Sequence, residues 1–172
     1  MAKTDSFFIR KSIELTGASY VENTIDLGAY VDALGKAVLR IHNIAVQYSD
    51  PTGTTPDLSS QVNAAADFQL STQTQSGMVI AGDNKAIVSS GRIVAYNADA
   101  TGTGVPTQVY QDLDIAPQEW TQGYLIGVES MYLGGQRTAA GWAENVVVSL
   151  VMECTSESLT KEAALALALS QQ

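Results

Sequence analysis

Charge is scarce in this chain: only 16% of its 172 residues are Asp, Glu, Lys or Arg, against roughly a quarter in ordinary soluble domains. Basic residues are scarcer still. Nine Lys and Arg stand against eighteen Asp and Glu, a net charge of −9, and an acidic surface opposes the counterion release that drives phosphate-backbone binding. Strong nucleic-acid binding by the whole surface is thereby disfavoured, and acidity of itself names no partner. Arg10-Lys11 is the only adjacent basic pair and reads as a solvated strand face.

Cysteine and histidine are each present once, as Cys154 and His42. One cysteine forms no intrachain disulfide and builds no cysteine-based zinc site. Cys154 lies in an alternating apolar run and reads as a small buried hydrophobe. The lone His42, inside an apolar strand pattern, removes most histidine-built triads and metal-dependent hydrolases. Also absent are an N-glycosylation sequon, an apolar run of about 18 residues and a charged start followed by an apolar stretch. The expectation is a soluble chain with no membrane partner and no ordinary signal peptide.

What is present is apolar content, 45% of the chain, together with abundant Thr, Ser, Gln, Gly and Ala. That length and apolar fraction suit one domain with a real core. A weakly charged polar surface suits a subunit that hides much of itself against copies.

Period-2 alternation recurs along the chain. It predicts strands over Ser6 to Leu15, Tyr20 to Leu27, Asp67 to Thr74, Met78 to Ala81 and Lys85 to Tyr96. A short strand follows through Val109 and Leu113, then Tyr124 to Leu133, closed by Gly134-Gly135, and Glu144 to Cys154. Ala29 to Gly35 reads as a short helical turn or a loop. In Ala37 to Tyr48 the apolar residues change phase, with Leu39 and Ile41 on one face and Ile44, Val46 and Tyr48 on the other. An extra residue must intervene, so a bulge is expected near His42-Asn43, a bend of the kind that lets one strand serve two sheets. In Lys85 to Tyr96, Val88, Val94 and Tyr96 share one face and Ile87, Ile93 and Ala95 the other.

Ser49 to Asn63 and Asn97 to Thr107 are long loops rich in Gly, Pro, Ser and Thr, expected at subunit contacts or on the outer surface. After Thr155 the composition turns to Ala and Leu, which predicts a helix capped by Ser156 or Ser158, with Glu157 and Glu162 at its positive end. Its leucines, Leu159, Leu165 and Leu169, are expected to dock on a neighbouring subunit or the inner face of a shell, the alternative being that the helix covers its own domain's sheet edge.

No reactive constellation emerges. There is no nucleophile elbow, no Walker loop and no dinucleotide fingerprint. Asp112 and Asp114 share one strand face, which solvated charge explains more simply than paired acid and base. Asn97-Ala-Asp99-Ala-Thr101-Gly102 spaces oxygen ligands as a calcium loop does, but Gln108 falls where the closing acid belongs, so an Asx-rich turn is the better reading. No catalytic, cofactor-binding or metal residue is nominated, and no cofactor is implied.

These elements compose an all-β, two-sheet β-sandwich of jelly-roll type with about eight strands and a short C-terminal helix. An immunoglobulin-like sandwich would ordinarily be shorter and carry a Cys, Trp, Cys framework. The domain is read as one unit: an arm over 1–5, the sandwich over 6–155 and a helical segment over 156–172. The layout of the arm Met1-Ala-Lys-Thr-Asp5, the first strand Phe7 to Leu15 and the closing strand Val146 to Met152 resembles single jelly-roll major capsid proteins of small icosahedral viruses. That resemblance implies a non-enzymatic coat subunit, many identical copies tiling a shell, and a place in the virion. Many such proteins carry a long basic arm, whereas only Lys3 lies in this one, so weak or no direct nucleic-acid binding is expected. Two other classes fit a β-rich, catalytically empty chain: a phage tail-tube or decoration protein, and a carbohydrate-binding module stacking Trp120, Trp142, Tyr110 or Tyr132 on sugar rings.

Overall fold

The computed structural model describes residues 4–32, 35–59, 63–98 and 106–172. Its strands are β1 (Phe7–Leu15), β2 (Val21–Asp26), β3 (Ala37–Ser49), β4 (Asn63–Ser71), β5 (Ile87–Tyr96), β6 (Gln108–Ile115), β7 (Tyr124–Ile126), β8 (Ser130–Arg137) and β9 (Val146–Ser158). A 3-10 turn at Pro117–Glu119 precedes β7, and a helix, α1 (Lys161–Ser170), ends the chain. They form two antiparallel sheets, ordered β1-β9-β3-β7 and β2-β8-β4-β5-β6. With β6 set aside as an added edge strand, the chain alternates between sheets in the order of a jelly roll, two interlocked Greek keys.

The core lies between the sheets because alternate residues of each strand are apolar. Val146, Val148, Leu150, Met152 and Cys154 of β9 are all buried, facing Phe68 and Leu70 of β4 and Leu133 of β8 across the sandwich. Tyr48 and Phe68 meet edge to face with ring centroids 6.3 Å apart. Fully burying side chains of this size contributes about 1.5–3 kcal/mol apiece.

The phase change in β3 has its expected cause: pairing with β9 shifts register between Ile41 and Asn43, making His42 the extra residue. The strand does not then cross to the second sheet; it continues along β9 to Ser49. Other expectations are corrected. Tyr124 to Leu133 is two strands, and Gly134-Gly135 ends neither, since β8 continues to Arg137. The glycines are there for close approach: a Cβ on Gly134 would meet the Tyr20 hydroxyl, and one on Gly135 would lie 2.5 Å from the Asp67 carbonyl oxygen. Asp67 to Thr74 begins four residues too late, because Ala64 and Ala66 already face the core. Met78 to Ala81 forms no strand. It belongs to a crossing over 72–86 that Gln69 holds, accepting from Val79 N–H at 3.0 Å and donating to the Gly77 carbonyl at 2.9 Å.

In β5 the pairing with β4 shifts register between Leu70 and Ser71, making Val88 the extra residue; Val88 thereby joins Ile93 and Ala95 in the core, so the two faces expected from strict alternation do not hold. Gly91 admits a close approach, since a Cβ there would lie 2.7 Å from the Asp112 carbonyl oxygen and 2.8 Å from Phe68 Cε1. Residues 29–32 form a turn, with Tyr30 and Val31 N–H both donating to the Leu27 carbonyl. Finally, β9 runs to Ser158, past the expected boundary at 155, and Thr160 rather than a serine caps α1, accepting from Ala163 N–H at 3.3 Å. Glu157 is thus a strand residue, forked onto Arg40 at 2.7 and 2.9 Å.

Candidate interaction surface

His42 Nε2 and Thr155 Oγ1 are 2.9 Å apart, a hydrogen bond across the β3 bulge. Thr155 is only 4% exposed, so this hydroxyl offers a substrate no approach. Cys154 is fully buried, and burial, with the nearby Glu153 charge adding to it, pushes its thiol up to about 12. A thiol so protonated is no nucleophile near neutral pH. Asp112 and Asp114 project from the outer side of β6 and are engaged separately. The Tyr110 hydroxyl donates to Asp112 at 2.7 Å, while Arg92 pairs with Asp114 at 2.9 Å. Among the described residues no three His, Cys, Asp or Glu side chains gather as metal ligands. Most of the calcium-like stretch, from Asp99 on, lies outside the described residues.

The candidate sugar platform separates. Trp142 is buried at 5% exposure and its indole N–H donates to the Ala65 carbonyl at 3.0 Å, whereas Trp120 and Tyr110 are more than half exposed. Tyr132 is half-buried on β8. These side chains do not converge on one cleft. A shallow cleft of about 590 Å³ lies on the outer face of the five-stranded sheet, between Asp67, Arg92, Asp114 and the crossing Met78-Val79-Ile80.

The loops differ from each other. Ser49 to Asn63 is partly built into its own domain: Leu58 is 1% exposed and bridges Trp142, and Ser59 N–H donates to the Gly141 carbonyl at 2.7 Å. Asp50 organises its start, accepting from Thr52 N–H and Thr54 N–H at 2.9 and 2.7 Å and from both threonine hydroxyls. Of the second loop, Thr107 is tied back to Tyr96, its N–H donating to the Tyr96 carbonyl at 2.9 Å. The centre of that loop lies outside the described residues.

α1 follows the own-domain alternative by its alanine face alone. It docks on its own domain through Ala164 and Ala168, both buried, while Leu165 and Leu169 are exposed at 43% and 61%. The helix lies close to Gly127, where an added Cβ would be 3.0 Å from Leu167 Cγ and 3.1 Å from the Ala168 nitrogen. Gln171 secures the end. It accepts from Gly127 N–H at 2.8 Å and donates to the Leu125 carbonyl at 2.7 Å, while Thr72 donates to its carbonyl at 3.0 Å.

What remains as surface chemistry is apolar. Phe8, Ile80, Val109, Tyr110, Trp120 and Leu169 are each more than half exposed. Phe8 is on the edge strand β1, while Val109 and Tyr110 are on the edge strand β6. That β1 is an edge follows from the sheet order.

No family model matches the chain, and no curated protein does. Among solved structures, one of Desmodium yellow mottle tymovirus is similar over 90% of this chain and 82% of its own, at 5% identity and a TM-score of 0.35. An unassembled KI polyomavirus VP1 pentamer is similar over 90% and 95%, at 7% identity and a TM-score of 0.38. Dimeric latent PorU from Porphyromonas gingivalis scores 0.38 at 8% identity, over 87% of this chain but 13% of that one. At such scores the jelly-roll assignment rests on the chain's own strand order.

Proposed function

We propose that this chain is a structural subunit that assembles with copies of itself into a viral capsid shell, and acts as no enzyme. The observation that carries the reading is the exposure of Phe8, Val109, Tyr110, Trp120 and Leu169 around a jelly roll. Large apolar side chains on a weakly charged surface mark contact sites. The fold alone would not suffice, since one fold hosts many functions. The subunit acts in the virion, its partner is itself in many copies, and its net charge of −9 leaves genome binding weak or to another component.

Expression of the chain alone, followed by light scattering and negative-stain microscopy, tests this. Closed particles are expected. Tubes would favour a tail component, and a protein that stays monomeric while binding a defined glycan would overturn the proposal in favour of a carbohydrate module. The burial of Trp142 weighs against that module.

A further inference from the structure

We infer that copies of this chain meet head to tail, the β1 edge of one against the β6 edge of the next, with Arg10 opposite Asp112. The inference rests on the shell-subunit reading and specifies how its copies touch.

β1 ends the four-stranded sheet and β6 ends the five-stranded one. They lie on opposite flanks of the sandwich. β1 stands beside β2, whose Asn23 amide donates to the Ser12 carbonyl at 3.2 Å. β6 stands beside the far side of β3, where the Gln111 amide reaches the Val46 carbonyl at 3.4 Å. Each edge carries an exposed aromatic side chain next to charge: Phe8, 55% exposed, with the Arg10 guanidinium 5.8 Å from its ring centre, and Tyr110, 56% exposed, bonded to Asp112. The charges are of opposite sign.

In a chain of net charge −9, copies repel one another in most orientations. Arg10-Lys11 is the one adjacent basic pair, although Glu153 faces Phe8 across β9 and Glu14 lies further along β1. On β6, Asp114 already pairs with Arg92, but Asp112 has no cationic partner among the described residues: it accepts from the Tyr110 hydroxyl and the Leu113 N–H. The approach of β1 to β6 therefore sets opposite charges together while covering Phe8, Val109 and Tyr110.

Continuous strand pairing is not part of the contact. Lys11 alternates with Ile9 and Ile13 on the inner side of β1, and an inward charge on an edge strand blocks strand addition. Because the two edges lie on different flanks, the contact is heterologous, and repetition gives a ring or an open chain according to the rotation at each step.

The test uses the full chain in two variants, Arg10→Glu and Asp112→Lys. Each alone is expected to need at least about tenfold more protein to assemble, as judged by light scattering. Mixed in equal amounts, they are expected to recover assembly, because the wild-type edge of each meets its complement and the two reversed edges meet each other. Assembly by either variant at the wild-type concentration, or no recovery on mixing, overturns the edge contact while leaving the subunit reading standing. A wild-type chain that stays monomeric overturns both. If a reversed variant loses its cooperative thermal transition, Arg10→Gln and Asp112→Asn replace the pair. Unchanged assembly in either of those overturns the contact.

Discussion

One side chain holds both backbone groups of Ile44: Gln118 Oε1 accepts from the Ile44 N–H at 3.1 Å, and Gln118 Nε2 donates to the Ile44 carbonyl at 3.1 Å. β7 pairs with β3 only over Leu39 to Ile41. Beyond the bulge at His42, β3 has no strand on that side among the described residues, and the Gln118 amide stands in for one peptide unit of it. Gln171 does the same for the other edge of β7, taking Gly127 N–H and the Leu125 carbonyl.

Gln118→Ala is therefore expected to lower unfolding free energy by about 1–3 kcal/mol, the range for stranding partly buried backbone groups. Gln118→Glu keeps the acceptor and loses the donor, so it should fall between Ala and wild type. Urea titration with an unchanged slope measures both. A Gln118→Ala midpoint equal to wild type would mean that water fills the role.

Tyr48 supplies a change of opposite sign. Its hydroxyl is buried without a hydrogen-bond partner among the described residues, and burial raises its pKa well above the ordinary phenol value, with the charges of Asp67 and Asp114 adding to the shift. An enclosed hydroxyl with no partner costs free energy that a phenyl ring does not. Tyr48→Phe should leave stability unchanged or raise it by about 1 kcal/mol, and calorimetry that found a clear loss would reveal a partner for the hydroxyl.

These relationships set the limit of what alternation could reveal. The β3 bulge was legible because Ile41 and Ile44 cannot face one core without an extra residue. The inward face of β9 was legible because five apolar residues recur at every second position from Val146 to Cys154. Gly134-Gly135 misled, since glycine punctuates chains as often as it admits a close neighbour, and Tyr20, its neighbour here, is far away in sequence. Leu58 was hidden inside a loop composition, and the Leu spacing of α1 gave no sign that Ala164 and Ala168 would face the domain while Leu165 and Leu169 stay exposed. Gln69, Gln118 and Gln171 carried no sequence signal, because an amide acting as a strand is defined by a partner outside its own segment.

Two carboxyl groups near the Ser49 loop should respond to acid in opposite directions. Burial pushes Asp50 up, but the Thr52 and Thr54 hydroxyls and N–H groups outweigh it and hold the carboxyl at about 2. A depressed folded value stabilises the fold above the ordinary carboxylate value, and that contribution is lost as pH falls from about 4 toward 2. Glu144 is raised, by burial first and then by the Asp50 charge. Its contribution is present below its ordinary value and is lost as pH rises through the raised one. Asp50→Asn should thus lower the melting temperature at pH 7 by more than at pH 2.5, whereas Glu144→Gln should raise it at pH 7 and leave it unchanged at pH 3. Thermal melts across this range check both, and parallel curves for Asp50→Asn and wild type would refute the linkage.

The last prediction separates the two faces of α1. Ala164, Ala168 and Gln171 face the domain, and Gln171 closes the β7 edge, so the helix end belongs to the fold of its own chain. Leu165 and Leu169, four residues apart on the exposed face, bury too little within the chain to support it. Gln171→Ala strands a buried N–H and a part-buried carbonyl and should cost about 1–3 kcal/mol. Leu165→Ser with Leu169→Ser should change the stability of the isolated chain by less than about 0.5 kcal/mol, as surface substitutions do. Denaturant melts of dilute, unassembled protein compare the two directly. If the serine pair proved as costly as Gln171→Ala, the leucines would have to pack within the chain, and the helix would sit on the sandwich by its leucine face.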